Sequence, residues 1–282
     1  TALSFEAAGN KVGSLAVNIW RLAIAFGLFC LYSLLFRGTL LPLDAPRHAW
    51  IWLTASGLVG FVLGDLFLFE AFVLIGARIA MLIYSLVPPM TALISFFVLG
   101  EVLSPVQWAG MALTVAGIAI VVLQRNAPTK RASAHLALGV GAAILGALGQ
   151  AVGLVLGRYG APTYDPFQAT QIRSMAGIVG FAIFFTVVKR WRPVMEALHH
   201  RVAMRQISIG AFFGPFLGVS LGLYAAQNTE TGVAATIIAL VPVLMIPAAI
   251  LVLKEKVTLA EALGALLAVA GVALLFVDPA LA

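Results

Sequence analysis

Nine apolar runs, each near the roughly 20 residues that cross a bilayer's hydrocarbon core as a helix, take up most of this chain: 15–36, 49–75, 77–99, 106–123, 136–156, 167–188, 207–226, 231–253 and 259–277. Hydrocarbon offers no partner to an exposed amide, so such a run must close its own backbone hydrogen bonds in a helix or belong to a closed barrel. The period-two alternation of barrel strands is absent, which leaves an all-α membrane fold. Composition agrees: 62% of residues are hydrophobic and 10% charged, against about a quarter charged in a soluble domain, so a soluble globular enzyme is excluded. The net charge of +6 is scattered between the runs, as membrane-flanking cations are, and forms no nucleic-acid footprint. Cys30 is the single cysteine, which excludes an intrachain disulfide and a multi-cysteine metal site, and the four histidines fall in loops. No cofactor, metal or nucleic-acid partner is expected; the partners are the bilayer and a small-molecule substrate. Residues 1–11 read as the end of one more span followed by a polar loop, without the basic flank of a signal peptide. The expectation is therefore ten transmembrane helices, with the first largely missing from this chain.

The chain repeats itself. At an offset of 154, Leu86-Val87-Pro88 falls on Leu240-Val241-Pro242, Glu101 on Glu255, Gly110 on Gly264 and Gly117 on Gly271, and residues 77–123 keep 14 identities in 47 positions, where chance in such a composition gives about a tenth. Upstream, Gly60 meets Gly214, Gly64 meets Gly218, and Arg21 meets Arg173 after a two-residue slip. Residues 1–123 and 135–277 thus form two units of five helices. An odd number of helices per unit makes the second enter from the opposite side, the inverted-repeat plan of secondary transporters.

The pattern Ala71…Ala80…Leu86-Val87-Pro88…Gly100-Glu101…Gln107-Trp108-Ala109-Gly110…Gly117, repeated as Tyr224-Ala225…Ala234…Leu240-Val241-Pro242…Lys254-Glu255…Gly264…Gly271, resembles the EamA domain of the drug/metabolite transporter superfamily. Within it the chain is similar to bacterial exporters of amino acids, aromatic ones among them. The resemblance implies a non-enzymatic multi-pass carrier of the bacterial inner membrane that exports amino acids or similar small metabolites by alternating access. Other substrates remain open at this point, among them sugar phosphates, purines and drug-like cations. The family's Trp-Gly element in the first helix has no counterpart here, because only the end of that helix is present.

Ionisable and polar groups inside the runs mark the candidate substrate cavity, since a charge at membrane depth costs several kcal/mol unless it faces water or a partner. Asp65 stands first, either as a functional group or as a structural hydrogen-bond partner; Glu70, near a helix end, reads as snorkelling. Tyr84, Ser85, Gln150, Tyr224, Gln227, Asn228 and Thr236 complete the candidates, and their chemistry suits a zwitterion with an apolar or aromatic tail. Arg21 and Arg173 read as structural, snorkelling or pairing with helix-end carbonyls. Pro88 and Pro89 remove the amides that would bond the carbonyls of Tyr84 and Ser85, and Pro242 and Pro247 do the same for Ile238 and Val243. These four are the candidate hinges. Glycines at every fourth position, Gly149-Gly153-Gly157 and Gly210-Gly214-Gly218-Gly222, read as faces of close helix packing.

Charge and resemblance disagree on orientation. Connections after odd-numbered helices hold twelve Lys and Arg against three on the other side, which places the former in the cytoplasm, whereas the resemblance implies cytoplasmic termini. Two rivals come from other classes. An intramembrane aspartyl protease needs paired aspartates in adjacent helices, in the order Tyr-Asp then Gly-x-Gly-Asp; here Gly64-Asp65 precedes Tyr164-Asp165, and residue 62 is Val. A channel would need a ring of carbonyls or like charges, and no motif suggests one.

Overall fold

The computed structural model describes residues 5, 8–9, 11–124, 133–240 and 258–275; every regular element among them is helical. We number the helices α1 (Ser14–Arg37), α2 (Arg47–Gly76), α3 (77–84), α4 (Val87–Leu99), α5 (Pro105–Gln124), α6 (Ser133–Gly160), α7 (Pro166–Val187), α8 (Trp191–Glu196), α9 (Arg201–Asn228), α10 (Thr231–Ala239) and α11 (Leu259–Leu275). Five stretches are long and apolar enough to cross a membrane: Ser14–Arg37, Arg47–Gly76, Leu136–Gly160, Pro166–Val187 and Arg201–Asn228. Val87–Leu99, Pro105–Ile120 and Ala262–Leu275 are apolar but shorter.

The run 77–99, expected as one kinked span, is two helices. Gly76 takes φ 81°, a left-handed conformation that glycine adopts without a Cβ clash, so α3 leaves α2 at a sharp angle. α3 then stops in a turn in which the Leu86 amide donates to the Ile83 carbonyl at 3.0 Å. Pro88 and Pro89 lie in the first turn of α4, where an amide has no intrahelical acceptor and proline costs nothing. They therefore start a helix, and do not bend one. The repeat copies this turn: Leu240 donates to Ile237 at 3.1 Å, and Leu86 and Leu240 share nearly the same backbone angles, φ −77°, ψ −9° and φ −69°, ψ −8°. Pro242 and Pro247 lie outside the described residues.

A second device is copied as well. Leu58–Gly64 within α2 and Phe212–Val219 within α9 are π-helical, and their starts are separated by the same 154 positions as the sequence repeat. Pro215 sits inside the second, where its missing amide suits a widened turn.

The two halves meet along an antiparallel contact of α5 with α11 that has two-fold character. A Cβ on Gly110 would lie 2.6 Å from the Gly271 carbonyl oxygen, and one on Gly117 would lie 2.5 Å from that of Gly264. Between these pairs the Thr114 hydroxyl donates to the Ala268 carbonyl at 3.4 Å. Gly110 with Gly264, Thr114 with Ala268 and Gly117 with Gly271 are repeat partners, so each residue contacts the copy of its opposite number. That reciprocity defines an isologous contact, here within one chain.

Connections sort onto two faces. Tyr164 donates to Asp44 at 2.8 Å, Gln227 donates to the Ala161 and Tyr164 carbonyls at 2.6 and 2.8 Å, and Glu101 accepts from the amide and hydroxyl of Thr231 at 2.7 and 2.9 Å. These contacts gather 38–46, 100–104, 161–165 and 229–231 on one face. On the other, Trp20 near the start of α1 donates to the Val194 carbonyl of α8 at 2.8 Å.

Candidate functional site

The charged residues buried in the helices come together around α2. Asp65 follows the first π segment and is 5% exposed. Its carboxylate pairs with Arg21 of α1 through Oδ2 and accepts from Nε2 of Gln150 of α6 through Oδ1 at 2.8 Å. Gln150 Nε2 also reaches the Gly60 carbonyl at 3.0 Å, which in turn accepts the Asp65 amide five residues on. The wide turn thus leaves one carbonyl shared between backbone and side chain. Gln150 can come this close because Gly149 and Gly153 of α6 rest on Gly64 and Gly60 of α2, where a Cβ on Gly149 or Gly153 would lie 2.7 or 2.9 Å from the facing glycine Cα.

Arg21 and Arg173 occupy the same eighth position of α1 and α7. The two helices start on opposite faces, so the two cations enter at opposite depths, as inverted repeats require. Neither snorkels, which removes one of the two structural roles expected of them: both are under a tenth exposed. Helix packing turns their faces inward, and a side chain facing the bundle cannot reach the headgroups. Arg21 is matched by Asp65 and flanked by the rings of Phe5 and Phe69, its Cζ 5.6 and 5.2 Å from their centroids. Arg173 has no such match. Its Cζ lies 4.8 Å from the Phe61 ring centroid, its head group rests against Gly60 and Gly157, and its Nε and Nη1 have no hydrogen-bond partner. The repeat position of Asp65 is Val219, so this second arginine lacks the acid that the first has.

The remaining candidates divide. Tyr84, part-buried beside Val87, Ala147 and Ala151, feels the charges of Asp65 and Arg21, and Ser85 is buried in the adjoining turn. Tyr224, Gln227 and Asn228 lie elsewhere, at the end of α9. Gln227 closes the 161–165 connection as described, Asn228 donates to the Tyr224 carbonyl at 2.7 Å, and the Tyr224 side chain is exposed. Thr236 is buried and donates to the Gly232 carbonyl of its own helix at 2.8 Å. Asp65, Gln150 and Tyr84 are thus brought together, whereas the α9 group and Thr236 make contacts that hold helix ends and turns. The two aspartates of the protease rival are committed apart: Asp165 caps α7, accepting from the Gln168 amide at 2.9 Å, while Asp65 neutralises Arg21. No group of three or more His, Cys, Asp and Glu able to hold a metal occurs among the described residues.

Two copies of one family model match the chain, over residues 1–123 and 137–277. The chain belongs to the EamA-like transporter family. Membership makes it a multi-pass membrane protein that transports small molecules. No curated protein matches it. Among solved structures, one crystal structure of a protein superposes with a TM-score of 0.66 over 98% of this chain and 94% of its own, at 20% identity. That likeness shows the shared fold. The EamA-like assignment accounts for the two-fold α5 and α11 contact and the duplicated π segments, which no single-copy bundle would need.

Proposed function

We propose that this EamA-like transporter exports amino acids, aromatic ones among them, or similar small metabolites by alternating access of a cavity between its halves. What supports the reading is the recurrence at the 154-residue offset of the π segments and of the Leu86 and Leu240 turns, together with the reciprocal glycine contact of α5 with α11. Asp65, Gln150 and Tyr84 line the substrate path near the first π segment, the proline-led start at Pro88 and Pro89 serves as a hinge, and Pro242, the repeat partner of Pro88, and Pro247 are the candidate hinges of the second half. Freed carbonyls at such breaks also offer acceptors to a substrate ammonium group.

Proteoliposomes loaded with labelled phenylalanine, leucine or a purine test the substrate class. Saturable release of the amino acids above the protein-free rate is the expected result. Release of the purine alone would move the assignment to another substrate.

A further inference from the structure

A buried guanidinium that no acid pairs directly is costly even after relaxation, and Arg173 is so placed: the Asp65 carboxylate is near enough to act on it, but its oxygens are bonded to Arg21 and Gln150. The face of Phe61 offsets part of that cost as a cation–π contact but satisfies no N–H. Arg21 and Asp65 cancel, and Gln150 is spent on Asp65 and Gly60, so the cluster keeps one positive charge and three unpartnered donor nitrogens, Nε and Nη1 of Arg173 and Nε of Arg21, whose terminal nitrogen is engaged. Phe61, Gly60 and Gly157 lie against the Arg173 head group, and the Ser56 hydroxyl, beside Gly157, is taken by the Gly153 carbonyl at 2.5 Å.

We propose that Arg173 anchors the carboxylate of the transported molecule. The inference rests on the transporter reading above and narrows its substrate class to monocarboxylates and zwitterions. The chemistry decides among the candidates. A guanidinium offers a planar fork of donors that matches a carboxylate, and the carboxylate of a monoanion or a zwitterion supplies the directly paired negative charge that Arg173 lacks. A dianionic phosphate ester would leave a negative charge uncompensated in a low-dielectric site, and an organic cation would add to the existing charge; each is disfavoured by the same electrostatics. The tail of the ligand has aromatic surface to meet, since Phe61 lies under the guanidinium and Phe69 and Tyr84 lie about the neighbouring pair.

Access follows from the glycines. Arg173 is 3% exposed, yet what separates it from α2 and α6 is largely backbone: Gly57 against its own carbonyl, and Gly60 and Gly157 each 3.6 Å, by a notional Cβ, from its terminal nitrogens. A small separation of α7 from α2 and α6 opens the head group without displacing large side chains, and the π segment supplies a place where α2 can change its winding.

The test uses the purified full chain and three probes with one aromatic tail: phenylpropionate, phenylalanine and phenylalaninamide. The two carboxylates should raise the melting temperature at millimolar concentration, and the amide should not. Arg173→Gln should weaken the carboxylates at least tenfold, with Arg173→Lys between, because lysine keeps the charge and loses the fork. In the unmodified protein, phenylpropionate should slow phenylglyoxal labelling of the peptide containing residue 173, a readout independent of whether the variants fold. Equal shifts from acid and amide, no shift from either acid, or unprotected labelling would overturn the proposal. Counterflow of any labelled solute that survives Arg173→Gln unchanged would remove this site and leave the carrier reading standing.

Discussion

At the scale of single residues, the ion pair of Arg21 with Asp65 behaves as a unit. Removing one member of a buried pair leaves the other charged and unmatched, at about 3–5 kcal/mol, whereas replacing both by neutral groups costs far less. Asp65→Asn should therefore lower the melting temperature strongly, and adding Arg21→Gln should recover most of the loss; a double variant no more stable than the single one would mean that the pair contributes little. A different ionisation governs the connection between α6 and α7. Burial and the bond to Asp44 push the Tyr164 phenol above its usual range. The unfolded chain then ionises first as pH rises past about 10, so stability present below that pH is lost above it. Tyr164→Phe should flatten this alkaline decline, and an unchanged decline would contradict the assignment. Asp65 was legible in the sequence because an acid inside an apolar run is rare. Its partners were not, since Arg21 and Gln150 lie 44 and 85 positions away. Arg173 read as structural, snorkelling or pairing with helix-end carbonyls, because an arginine two turns into a helix can reach the interface if its face is outward, and only the packing of α7 on α1 and α2 sets that face.

Among the helices, glycine decides how closely backbones approach. Gly117 meets the main chain of α11, whereas a Cβ on Gly27, in the middle of α1, would meet nothing within 4 Å. Alanine favours helix over glycine by about 1 kcal/mol, so Gly27→Ala should hold or raise the melting temperature. Gly117→Ala should lower it, because the 2.5 Å approach to Gly264 forces α5 and α11 apart. Thermal unfolding of the two variants side by side checks the contact, and equal effects would contradict it. The glycine spacing in α6 announced close packing, and the structure supplies its partners, Gly60 and Gly64. The π segments gave no sequence signal beyond the recurrence of those glycines, because a π turn differs from an α turn in hydrogen-bond register while hydropathy stays the same. Pro88 and Pro89 differ from the expectation in their place and not in their proposed role: their missing amides read as breaks within one helix, but the turn at Leu86 puts them in the first turn of the next, where no amide is required.

For the whole molecule, the sequence repeat is matched by the two copies of the family model, and the contacts among connections add which of them share a face. The face gathering 38–46, 161–165 and 229–231 carries few cations, whereas the one with 188–200 carries Lys189, Arg190, Arg192 and Arg201. Positive residues stay in the cytoplasm, so in a Cys30→Ser background an impermeant thiol reagent should label cysteine at Leu43 and not at Pro193 in intact cells. The reverse pattern would favour the orientation implied by the family resemblance over the charge count. The central claim, that two inverted halves exchange roles around one substrate, is tested most directly by counterflow. Proteoliposomes loaded with unlabelled phenylalanine and placed in trace labelled phenylalanine should accumulate label transiently above its external concentration, with an initial rate that saturates. Linear entry of label that never exceeds the external level, whatever the load, would contradict alternating access.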